Sequence, residues 1–143
     1  EAELYKQHFD EAFKKSGKSR KPTFALMRHT AVYENEKDSE IPIKAIQRTL
    51  GQFENLYKNL GDVKNGFPKQ ISLESLSNRA EFDPDMLREN LMFGTPETII
   101  RKLERYKELG VDEFIYYASM GLDQNEQKKS LELFCSEVMP AFQ

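Results

Sequence analysis

One cysteine, two histidines and no tryptophan are all that the 143-residue chain has of these types, and the scarcity narrows what it can do. Cys135 cannot form an internal disulfide, and its place beside Phe134 and Val138 in a helical pattern reads as a packed core thiol in a reducing compartment, the cytoplasm. No cysteine or second histidine stands at ligand spacing from His8, which reads as a partly buried structural histidine. The acidic residues at 34–40 have no accompanying histidine and lack the order of a calcium loop, so no metal is expected. Positive charge is not in excess either. With 21 Lys and Arg against 24 Asp and Glu, the net charge of −3 gives no basic signature for nucleic acid. No apolar run approaches the ~20 residues that cross a bilayer, and no apolar segment follows a basic start, so neither a membrane span nor a leader is expected. Phosphate-binding glycine loops, a nucleophile elbow, spaced Cys or His sets, repeats and low-complexity tracts are also missing. No self-contained catalytic constellation is left.

What remains is a globular composition, 38% hydrophobic and 31% charged, enough for one soluble domain. The first residue is Glu1, and a helical stripe of Leu4, Tyr5, His8, Phe9, Ala12 and Phe13 is already under way, so the chain is expected to be cut from something longer. This helix should end near Ser16 or Gly17. Residues 23–33 are then apolar on both alternating faces except at Arg28 and His29, as in a strand covered on both sides. An unpaired buried guanidinium costs several kcal/mol by order of magnitude, so Arg28 needs either an acidic neighbour or a ligand. A polar turn at 34–40 leads to Pro42 and to Ile43, Ile46, Leu50, Phe53, Tyr57 and Leu60 at helical spacing. Residues 61–90 form a variable excursion, loop-like from Gly61 to Pro68, with a short helix announced by Asp83-Pro84.

The clearest signal lies in residues 93–142. Thr95 suits an N-cap, Pro96 the first helical position and Glu97 the positive first turn, with Gly110 as the stop. Residues 114–118 are aromatic-rich and too short for a helix, hence a buried strand. Asp123 with Glu126 resembles a capping box, and Leu131, Phe134, Cys135, Val138 and Phe142 keep helical spacing. Two confident strands cannot complete a doubly covered parallel sheet, so the pattern reads as part of a barrel.

Gly-Thr-Pro-Glu at 94–97, Gly-Val-Asp-Glu-Phe-Ile at 110–115 and the closing run at 130–142 closely resemble the C-terminal end of bacterial luciferase-like flavin-dependent monooxygenases. Arg28 to Tyr33 before an acidic loop looks like that family's seventh strand. The resemblance implies α/β architecture, with residues 1–143 as the C-terminal segment of a single (β/α)8 TIM barrel. It holds strands seven and eight with their helices, and is incomplete as given. It also implies reduced FMN from a separate flavin reductase, used with dioxygen to oxidise a small organic substrate. Most of the flavin site would lie on other strands, so this chain alone is expected to be inactive, with the remainder of the barrel as its partner and a homo-oligomer as a further assembly. Two alternatives stay open: a truncated binding or assembly module without catalysis, and a deazaflavin-dependent oxidoreductase of the same superfamily. Barrel sites lie at the C-terminal ends of strands. That selects Tyr33 and Glu34 with Tyr117 toward substrate, and Gly94, Thr95, Ser119 and Gly121 toward the cofactor, beside Met120. Capping, packing and loop hydrogen bonding are the competing explanations for the same residues.

Overall fold

A computed structural model of the chain describes residues 2–58, 62–69, 71–76 and 78–143. Helix α1 (Ala2–Ser16) precedes strand β1 (Ala25–Val32), and a 3-10 turn at Glu36–Ser39 leads into α2 (Glu40–Lys58). A two-residue hairpin, β2 (Val63–Lys64) and β3 (Phe67–Pro68), is followed by α3 (Leu73–Leu76), α4 (Pro84–Asn90) and β4 (Met92–Gly94). Then come α5 (Pro96–Leu109), β5 (Glu113–Ala118) and α6 (Gln124–Leu133), which widens into a π turn at Phe134–Val138. The expected helix position Leu60 and the expected loop start Gly61 lie outside the described residues.

Local chemistry sets most of these boundaries. The Asp83 carboxylate accepts the Asp85 and Met86 amides at 2.9 Å each, and Pro84 opens α4. Asp123 does the same for Asn125 and Glu126 at α6. Gly110, at φ 85°, ends α5 in the left-handed conformation that a side chain would resist. Thr95 is the exception. It stands at the N-cap position of α5, but its hydroxyl turns 3.3 Å to the Thr98 hydroxyl and caps no amide.

The sheet is parallel and ordered β4-β1-β5. Register pairs Ala25 with Glu113 through Thr30 with Ala118 on one side of β1, and Thr30, Ala31 and Val32 with Met92, Phe93 and Gly94 on the other. Strand β4 was not foreseen, since a three-residue apolar run carries too little pattern to signal a strand. It leaves the β1 edge at residues 25–29 without a strand neighbour among the described residues.

Helices cover both faces. On one, Ala31, Tyr33 and Phe93 pack with Ile43 and Ile46 of α2 and Leu87 of α4. On the other, Val32 and Met92 pack with Ile99 and Leu103 of α5, and with Phe134 and Val138. Double coverage of the C-terminal half of β1 was legible in its sequence. The rest of the first face is open: Met27 is 52% exposed, Ile115 42% and Tyr117 38%.

Several expectations fail: strand β5 has no fully buried residue, and Leu131 and Phe142 of the expected apolar stripe are exposed. Leu4, Tyr5 and His8 point to solvent, because α1 meets the sheet region through Lys6, whose side chain lies under Gly110, and through Phe9, whose ring is 5.0 Å from that of Phe24. Cys135 is exposed, not packed: the buried stripe runs through Ser130, Phe134 and Val138, and Cys135 lies one turn beyond Leu131 on the flank that faces solvent. Arg28 finds no acidic partner among the described residues. It is only partly buried in an open groove with Glu3, Glu89, Lys102 and Arg105, and its Nη1 donates 3.0 Å to the Met27 carbonyl.

Candidate functional site

Because all three strands of the main sheet are parallel, their C-terminal ends share one edge, and the residues singled out by sequence gather there. The Tyr33 amide donates 3.1 Å to the Gly94 carbonyl, and the Ser119 amide 3.2 Å to the Thr30 carbonyl. Met120 packs against the apolar cluster that includes Tyr33 and Ile46. Glu34 is exposed in a crevice of about 450 Å³ with Asp38, Glu126, Lys129 and Glu132. Tyr117 sits two residues lower, opposite His29 in register.

Burial and charge separate these groups. The Tyr33 ring is buried and its hydroxyl lies 3.5 Å from Glu36 Oε2. Desolvation first, and the Glu36 charge second, push its pKa up to about 12, so it stays a neutral phenol. His29 is stacked on Tyr117 with ring centroids 4.6 Å apart. Burial lowers its pKa; the Ala118 carbonyl opposes this without making a hydrogen bond to Nδ1. The imidazole is therefore neutral at pH 7.

The two glycines lie where the backbone packs closely. A Cβ on Gly94 would fall 2.6 Å from Thr98 Cγ2 and 2.8 Å from Thr98 Cβ, so the space in front of Gly94 is filled by its own helix. Gly121, at φ 84°, brings the loop after β5 so close to α2 that a Cβ would meet the Ala45 carbonyl at 2.5 Å. Both are needed for close packing of the backbone. Ser119 differs: it is fully buried, and its hydroxyl has no hydrogen-bond partner among the described residues.

Three structural contributors escaped the sequence. Ser130 Oγ accepts the Val32 amide at 2.7 Å and lies 2.8 Å from the Tyr116 hydroxyl, tying α6 to the sheet. Lys102 extends from α5 to the carbonyls of Arg88, Leu91 and Phe93, holding the end of α4 and the start of β4 together. His29 was visible only as a polar interruption of an apolar strand. Among the described residues no group of three or more His, Cys, Asp or Glu could hold a metal, and no helix is long and apolar enough to cross a membrane.

Comparison with known proteins places the similarity among flavin-dependent monooxygenases and bears out the resemblance read from the sequence. Over 142 residues, 99% of this chain, it is 29% identical to the oxygenase component of the flavin-dependent trigonelline monooxygenase of Acinetobacter baylyi. The chain spans 39% of the length of that relative. No family model and no solved structure matches it.

Proposed function

We propose that the chain is the C-terminal segment of the oxygenase component of a flavin-dependent monooxygenase. The observation that carries this reading is the similarity to one such component along 99% of the chain. In the complete protein, residues 1–143 would close a (β/α)8 barrel in which β1 and β5 serve as strands seven and eight. Their direct parallel pairing supports that placement. Short β4 takes the flank on which strand six would pair, and residues 61–90 are a variable excursion. Helices α2 and α4 then lie on the face that a barrel turns inward, so assembly must move them off it.

Reduced FMN, delivered by a partner reductase, would supply the oxygen chemistry. This chain's part is to orient ligands and exclude water at the strand ends. Tyr33, Glu34 and Tyr117 would face the substrate, with Ser119 toward the cofactor. Gly94, Thr95 and Gly121 would shape the rim by packing, and would reach the flavin only after rearrangement. Cytoplasm is the proposed compartment.

The test uses the full-length protein with a flavin reductase, NADH and FMN, with trigonelline as the first substrate tried and other small organic molecules after it. Oxygen consumption coupled to a product heavier by one oxygen atom is expected for at least one of them. A full-length protein that binds neither oxidised nor reduced FMN would sink the reading.

A further inference from the structure

Helices lie on both faces of the sheet for a topological reason. In the order β4-β1-β5 the chain steps one way from β1 to β4 and the opposite way from β4 to β5. Right-handed crossovers that run in opposite directions put their helices on opposite faces. So α2 and α4 cover Ala31, Tyr33 and Phe93, while α5 covers Val32 and Met92. A barrel adds every strand in one direction, and all its helices form one outer ring. With β1 and β5 as neighbouring strands of such a barrel, α5 and α6 belong to that ring and α2 and α4 do not.

The two sets of helices are also held differently. On the outer face, Ser130 of α6 accepts the Val32 amide at 2.7 Å and lies 2.8 Å from the Tyr116 hydroxyl. On the other face, the hydrogen bonds of α2 run to the excursion that follows it. Gln47 donates 2.6 Å to the Phe82 carbonyl, Asn55 donates 2.8 Å to each of the Asp62 and Lys69 carbonyls, and Glu54 accepts from Arg79 at 2.6 Å. Among the described residues none of them reaches the main sheet. Ile43 and Ile46 hold α2 to the strands through the apolar cluster, and the loop at Gly121 packs against the Ala45 carbonyl. Apolar contact has no direction, so another apolar surface of similar extent can take its place. One end of the excursion is fixed to the outer layer, where Lys102 of α5 binds the carbonyls of Arg88 and Leu91.

We propose that α2, the β2–β3 hairpin and α4 form one exchangeable cap. In the 143-residue chain the cap seals the strand ends from the side that a barrel turns inward. When the rest of the protein supplies the other strands, their inward side chains take over that apolar surface. The cap then swings away as a single body about two joints, the turn at Glu36–Ser39 and the end of α4 held by Lys102. The inference deepens the barrel reading and rests on it: one sequence has two packings of its excursion, and the remaining strands select between them.

Distances between pairs of spin labels, measured by pulsed electron resonance, test this in the 143-residue chain and in the full-length protein. Each sample is diluted with unlabelled copies, so that only distances within one chain count, and any further cysteine of the full-length protein is replaced by serine. The label sites are all exposed: Cys135 itself, Lys44→Cys on α2, Lys64→Cys on the hairpin and Glu104→Cys on α5. The distances from Cys135 to positions 44 and 64 should differ between the two proteins by about 10 Å or more, the diameter of the helix that must clear the face. Two other pairs should keep their distances: Cys135 with position 104, both in the outer layer, and positions 44 with 64 in a Cys135→Ser background, both in the cap. Equal distances from Cys135 to both cap positions in the two proteins overturn the proposal, because α2 then already stands where the complete protein needs it. A change between positions 44 and 64 overturns the single body, and a change between Cys135 and position 104 removes the fixed frame on which the cap would swing. FMN binding by the same full-length protein is titrated separately. A shifted cap without FMN binding upholds the cap and sinks the flavin reading, and FMN binding with unshifted distances does the reverse.

Discussion

Ser130 shows how much one small side chain can hold. Its hydroxyl serves a buried backbone amide, Val32, and a phenol, Tyr116, on two strands at once. Replacing it with alanine strands the amide in a dry interior, at a cost of about 1–3 kcal/mol. Tyr116→Phe leaves that amide satisfied and should cost less, about 1 kcal/mol. Urea denaturation of both variants measures the difference, and equal losses would mean that Ser130 acts through its packing alone. His29 carries a pH signature. Its folded pKa lies below the ordinary 6.5, mainly because of burial, so the unfolded chain takes up this proton first as the solution is acidified. The contribution of His29 to stability is complete above pH 6.5 and is lost as pH falls toward its folded value. Denaturation midpoints between pH 7.5 and about 5.5 should therefore fall more steeply for wild type than for His29→Phe. Parallel slopes would mean that the imidazole titrates alike in both states.

At the scale of elements, helix starts and stops were largely legible because they depend on neighbours in sequence. Asp83, Asp123 and Gly110 do what their residue types suggest within a few positions of themselves. What could not be read depends on distant partners. The exposure of Cys135 depends on which flank of the last helix the sheet covers, β4 exists because β1 lies beside it, and Arg28 makes no ion pair among the described residues although Glu3 and Glu89 share its groove. The candidate site divides in the same way. Its location at the strand ends follows from parallel topology, whereas the close packing at Gly94 and Gly121 depends on Thr98 and Ala45, which a Cβ there would meet. These contacts change what mutation should do. Asp123→Ala loses two accepted amide bonds and should cost about 1 kcal/mol. Thr95→Ala removes no cap bond and should cost measurably less. Gly94→Ala forces its methyl into Thr98, so a loss of about 1–3 kcal/mol is expected, with partial rescue by Thr98→Ala. Thermal melts of the four proteins test the order, and a Thr95→Ala loss matching that of Asp123→Ala would show that the threonine hydroxyl caps the helix in solution.

At the scale of the whole molecule, the sheet is covered where β1 ends and open where it begins. Neither outer edge of the three-stranded sheet is paired among the described residues, and Met27, Ile115 and Tyr117 leave an apolar patch on one face. Unpaired strand edges beside exposed apolar surface recruit other chains. The 143-residue chain by itself is accordingly expected to self-associate or to melt broadly at low temperature, read by sedimentation velocity at several concentrations and by calorimetry. Its flavin affinity should be negligible for a separate reason: most of the proposed flavin site would lie on other strands of the barrel. Titration with FMN should leave flavin fluorescence unquenched up to about millimolar protein, the range of affinities too weak to be useful. A monomer with one sharp cooperative melt would show that the open sheet needs no further partner. Micromolar FMN binding by that monomer would go further and make the chain a flavoprotein in its own right.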